Sequence, residues 1–118
     1  MEPNKDTQTD FFDELFAPEI KEFADALGLQ TSQARLALEI VCENLKLFDR
    51  KQKDYGSGNI ANNPMPEIGV AIRANDKVQR IMNLLGKEES HCEAREDSWM
   101  DLANYGLIGY MVAKGLWK

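Results

Sequence analysis

The sequence predicts an all-α protein: a helical bundle of three to four main helices preceded by short N-terminal helices. Three observations carry that prediction. Apolar residues recur at helical spacing along most of the chain, no stretch alternates apolar and polar as a strand would, and no internal repeat or low-complexity segment appears. Gly, Pro and Asn gather between the periodic stretches, where chain breaks belong.

Residues 1–9 read as a disordered N-terminus, and 10–118 as a single helical domain. Thr9 or Asp10 can cap a short amphipathic helix, FFDELF, with Phe12, Leu15 and Phe16 on one side. Pro18 suits the first turn of a second helix, whose stripe Ile20, Phe23, Ala24 and Leu27 stops at Gly28. Both are expected to serve core or dimer packing and carry no assigned chemistry. Thr31 or Ser32 caps the next helix, expected from about Gln33 to Asp54. Its apolar residues cover most of the circumference, and Glu39, Glu43, Lys46 and Arg50 are squeezed into about 60°. Such a narrow strip either faces water through a slot or lines an internal site.

The segment KDYGSGNIANNPMPEIG is expected to be a loop of about 17 residues, long enough to suggest a functional role. Val70, Ala74, Val78, Ile81, Met82 and Leu85 then form a helical stripe over 70–86, with Arg73, Lys77 and Arg80 expected on the opposite face. Ser90 and Glu93 form a capping box for a final helix reaching about Gly115. Its stretch Glu96–Met111 is apolar almost all the way round, so burial is expected. Asp97, Asp101 and Asn104 nevertheless share about 60° of it. A buried carboxylate needs a cation, a metal or a shifted pKa, so Asp101 requires a partner. Gly106 and Gly109 would admit a close neighbouring helix.

Charge and composition narrow the functions. Fourteen basic against 20 acidic residues give a net charge of −6, unlike a duplex-binding module. No apolar run reaches the roughly 20 residues of a membrane span. The polar, acidic N-terminus is neither a signal nor a transit peptide, and Cys42 and Cys92 read as reduced thiols of a cytoplasmic protein. His91 with two distant Cys makes a poor zinc site, and no Ser/His/Asp set is present.

Two carboxylate pairs remain. Glu39/Glu43 and Asp97/Asp101 are each spaced to project from one helix face, where like charges repel unless a divalent cation sits between them. Mg²⁺ prefers such oxygen ligands and leaves positions for substrate phosphates. The alternative is solvated helix faces, with Glu43 paired to Lys46 or Arg50. Glu93 and Glu96 suit the helix dipole instead. Arg73, Lys77 and Arg80 either hold phosphate oxygens or form an ordinary charged exterior. Gly56 and Gly58 let backbone amides approach an anion, and Tyr55 can stack on a base.

Three blocks in order, Lys53-Asp54-Tyr55-Gly56-x-x-Asn59, Ile72-Arg73-x-x-Asp76-Lys77-x-x-Arg80-Ile81-x-x-Leu84 and Glu96-Asp97-x-x-x-Asp101-Leu102-Ala103-Asn104-Tyr105, resemble the nucleotide-modification-associated domain 1 family, frequent in phages and prophages. That family is similar to the all-α nucleoside triphosphate pyrophosphatases of the MazG and dimeric dUTPase type. The resemblance spans roughly residues 39–112. It implies an all-α pyrophosphatase-like fold, a dimer or tetramer, and Mg²⁺-dependent release of pyrophosphate from a nucleotide, with Mn²⁺ as substitute. Glu39 and Glu43 would be catalytic, and Glu43, Asp97 and Asp101 would hold metal. The superfamily usually spaces these acids three apart; here they are four apart. Lys53, Asp54, Tyr55, Asn59, Arg73, Lys77, Arg80, Asn104 and Tyr105 would contact the nucleotide. The rival expectation is a non-catalytic nucleotide-binding or sequestering protein, and a third is a helical interaction module without a ligand.

Overall fold

The computed structural model describes residues 18–87 and 92–118. The expected disordered N-terminus, the FFDELF helix and the Ser90 capping box lie outside these residues. Those described are helical with no strand, so the protein is all-α. The helices are α1 (Pro18–Ala26), α2 (Ser32–Tyr55), α3 (Gly58–Ala61), α4 (Pro66–Leu85) and α5 (Cys92–Ala113). The chain divides into two compact units, Met1–Leu47 and Phe48–Lys118, with the division inside α2.

In the first unit, α1 ends in a Schellman turn. Gly28 adopts φ 73°, and the amides of Gly28 and Leu29 donate to the carbonyls of Asp25 and Ala24. Thr31 then caps α2, its Oγ1 accepting from the Ala34 amide at 3.1 Å. Arg35 pairs with Asp25, linking α2 to α1, while Ala24 and Asn44 are buried. Phe23, Leu27, Ile40, Val41 and Leu45 are exposed.

The second unit differs from expectation in its loop. The end of α2 carries Lys53–Tyr55 as helix, Gly56 reverses the chain at φ 68°, and α3 forms at once. Pro66 at the start of α4 and Glu67 in its first turn place that helix start four residues before the expected one. A proline's fixed φ and missing amide suit a first turn, so the Asn-Pro-Met-Pro run is the entry to a helix. Asn63 Oδ1 accepts from the Met65 amide at 2.9 Å and tightens that entry.

Helices α4 and α5 pack together and hold the core of this unit. Ile60, Val70 and Ile108 are buried, with Phe48, Tyr105, Val112 and Trp117 against them. Gly109 lies where an added Cβ would meet Val70 Cγ1 at 3.5 Å, so it faces α4 at ordinary contact distance; Gly106 meets nothing within 4 Å.

Two expected faces are corrected. The face of α4 turned inward is Val70, Arg73, Ala74, Lys77, Ile81 and Leu84, all buried or half-buried. It spans about 100° and is rotated roughly 70° from the expected stripe. Val78, Met82 and Leu85 are exposed instead. Nor is α5 buried all round: Trp99, Ala103, Leu107 and Tyr110 form an exposed strip away from Ser98, Asn104 and Ile108, which are buried. A helix this uniformly apolar has almost no periodic signal to say which side will be covered. Contact with α4 makes that choice.

After α5, Gly115 at φ 72° ends the helix in a second Schellman turn, with the amides of Gly115 and Leu116 donating to the carbonyls of Val112 and Met111. The reversal carries Trp117 back to the Gly56 turn.

Candidate functional site

The rotation of α4 creates the site. Arg73 and Lys77 lie four residues apart on its packed face, half-buried beside the apolar core, and Lys77 reaches Asp101 on the polar arc of α5. A cavity of about 330 Å³ opens there, entirely within the second unit. That is near the lower end of small-molecule sites, which range over about 300–1,000 Å³.

Its lining has two characters. Lys51, Arg73, Lys77 and Asp101 supply charge, with Gln52, Asn59 and Asn104 as amide groups beside them. Phe48, Tyr55, Ile60, Tyr105, Ile108 and Trp117 supply an aromatic and aliphatic wall that continues into the core. Three cations against one carboxylate leave an excess of two positive charges in a chain of net charge −6. Water is only partly excluded here, so these charges interact more strongly than on open surface.

Asp101 has the partner its position demanded. Lys77 Nζ lies 3.0 Å from its Oδ2 and Lys51 Nζ lies 3.5 Å from its Oδ1. The Asp101 side chain is 25% exposed and that of Lys77 is 27% exposed. One carboxylate thus ties two ammonium groups from α2 and α4 to α5. Arg73 is different. It is half-buried, lines the same cavity, and pairs with no carboxylate among the described residues.

The turn between α2 and α3 closes one side. Gly56 takes a left-handed conformation that a side chain would strain. Gln52 Nε2 donates to Ser57 Oγ, and the Ser57 carbonyl accepts from Trp117 Nε1 at 3.2 Å. The rings of Trp117 and Phe48 also form a T-shaped pair, with centroids 6.2 Å apart and planes at 88°.

Of the residues singled out from the sequence, Tyr55, Asn59, Arg73, Lys77, Asn104, Tyr105 and Asp101 line the cavity together. Lys53, Asp54 and Arg80 are exposed and outside its lining, and Lys53 lies 4.0 Å from Asp49 along the same helix. Asp97 is exposed near the start of α5. In the first unit, Glu43 is exposed and pairs with Lys46 at 3.1 Å, one of the two arrangements expected for it. Glu39 is half-buried, and its Oε2 is buried without a hydrogen-bond partner among the described residues. Among the described residues no group of three or more His, Cys, Asp or Glu is placed to hold a metal ion. Asp101 is paired with two lysines and Glu43 with a third.

Lys51, Gln52, Phe48, Ile60, Ile108 and Trp117 also line the cavity and are not among the site residues expected from the sequence. Lys51 and Gln52 had a usable signal, lying within one turn of Lys53 and Tyr55. Phe48 also packs against the core. Trp117 had none, because its place depends on the turn at Gly115. No described helix is long and apolar enough to cross a membrane. No protein-family model, curated protein or solved structure matches the chain.

Proposed function

We propose that the cavity of the second unit binds a nucleotide, taking its phosphate at the cationic end and its ring system along the aromatic wall. The observation that carries this reading is Arg73: a half-buried arginine lining the cavity, with no described carboxylate to neutralise it. A charge withdrawn from water favours an anion beside it. The planar fork of Arg matches two phosphate oxygens at once, while Lys77 and Lys51 act as point charges. Asp101 holds those ammonium groups until an anion competes for them.

Recognition then divides between the two ends. Charge positions the phosphate, and the aromatic wall with the amides of Asn59 and Asn104 receives base and sugar. This is the binding reading without catalysis, and nothing in it requires a metal. Calorimetric titration with nucleoside mono-, di- and triphosphates, in EDTA and again in Mg²⁺, tests it. Binding in EDTA that weakens as salt rises is the expected result. Absence of binding by every nucleotide under both conditions would end it.

A second reading, pyrophosphate release from a nucleoside triphosphate, draws on Glu39. Its Oε2 is buried with no hydrogen-bond partner among the described residues, and such a carboxylate oxygen can serve as a base or accept a ligand. Incubation with each NTP and dNTP plus Mg²⁺ or Mn²⁺ would show pyrophosphate, and Glu39→Gln would remove it. The exposed strip Trp99, Leu107 and Tyr110 supports a homo-oligomer, measurable by light scattering.

A further inference from the structure

We infer that Trp117 is a specificity-determining residue of this cavity: its indole is the wall that selects ligands carrying an aromatic base over base-free phosphates. The inference rests on the nucleotide-binding reading and deepens it.

Three features of the chain place the ring. Gly115 in its left-handed conformation ends α5 and reverses the backbone, and the Leu116 amide fixes that reversal on the Met111 carbonyl at 2.8 Å. The indole N–H then donates to the Ser57 carbonyl, far away in sequence, at 3.2 Å. Ser57 is itself held through its hydroxyl by Gln52. Phe48 meets the indole edge-to-face, which fixes the ring's tilt. The polar edge of the ring is thus occupied by Ser57 and its orientation is set by Phe48.

The ring is nonetheless only half-buried, and it lines the cavity beside the cationic residues. A large apolar ring fixed on its polar edge and left open to a cavity offers a stacking surface, because every nucleobase has a π face to lay on it. The same ring gives an inorganic anion nothing. Selection by ring is therefore separable from attraction by charge, which belongs to Arg73, Lys77 and Lys51.

The chain has two tryptophans, Trp99 and Trp117. In a Trp99→Phe protein, fluorescence reports Trp117 alone. That protein is titrated with adenosine monophosphate, uridine monophosphate, ribose 5-phosphate and inorganic phosphate. Both monophosphates are expected to quench Trp117 and to bind about tenfold more tightly than ribose 5-phosphate, the scale of one base–aromatic stack. Calorimetry on Trp117→Ala should show that advantage lost, with ribose 5-phosphate binding within about twofold of the parent. Trp117→Phe keeps a stacking face and loses the indole N–H, so it should keep most of the preference. Two results would overturn the assignment while leaving the pocket reading intact: equal affinity for base-bearing and base-free phosphates, or a Trp117→Ala loss that is the same for every ligand. Failure of all four ligands to bind would overturn the pocket reading and this inference together.

Discussion

The ion pairs of Asp101 and of Glu43 are built from the same groups at nearly the same distance, 3.0 Å from Lys77 in one and 3.1 Å from Lys46 in the other. They differ in surroundings. The Glu43 and Lys46 side chains are 67% and 72% exposed and neighbour one another on one helix. The Asp101 pair joins separate helices beside a cavity and collects a second lysine. An exposed pair of this kind contributes roughly 0–1 kcal/mol, because water and salt screen it and both chains are mobile. A half-buried pair leaves a less well solvated charge behind when broken, so its loss costs more. Two acids that look alike in sequence therefore have different work: one decorates a surface, the other sets the electrostatics of a site.

Four substitutions break or sharpen that contrast. Arg73→Ala should have the largest effect, lowering nucleotide affinity in calorimetry by tenfold or more, since a charge-assisted contact is worth about 1.5–3 kcal/mol. Asp101→Asn comes next. Urea denaturation should show a loss of about 1–2 kcal/mol, below that of a fully buried pair because these side chains are partly solvated. The same variant frees Lys51 and Lys77, so nucleotide binding in EDTA should become tighter. A weaker affinity would assign Asp101 a direct part in holding the ligand or its metal.

The remaining two are smaller. Gly109→Ala replaces a helix-interior glycine at a position with ordinary contact to Val70, and should raise stability by about 0.5–1 kcal/mol. A fall in stability would show that α4 and α5 sit too close there for any side chain. Glu43→Gln should alter stability by less than about 0.5 kcal/mol, and high salt should erase even that. A larger loss would mean that Glu43 has a partner beyond Lys46.

Much of the local architecture is legible in the residues. Gly28 and Gly115 occupy left-handed positions at helix ends, and Thr31 caps α2, as turn and capping chemistry predicts. The expected loop over 53–69 is largely helix, since the abundance of Gly, Asn and Pro says less than their order. Pro66 followed by Glu67 is a helix start, and that order of residues outweighs the count. In the site, the polar arc of α5 and the Lys-Asp-Tyr-Gly turn were visible as candidates. Their grouping with Arg73 and Lys77 required α4 to be rotated away from its most hydrophobic stripe.

By itself the sequence determined the helical class, the glycines and the threonine that end or cap helices, and which side chains share each arc, because these follow from backbone chemistry and a fixed turn of the helix. Tertiary packing alone decided which arc of α4 turned inward, that Asp101 met lysines from two helices, and that Trp117 returned to Ser57. The physical reason is that a helical period fixes angles within one element. Which face is covered depends on the shape and charge of the neighbour, and that neighbour lies far away in the chain.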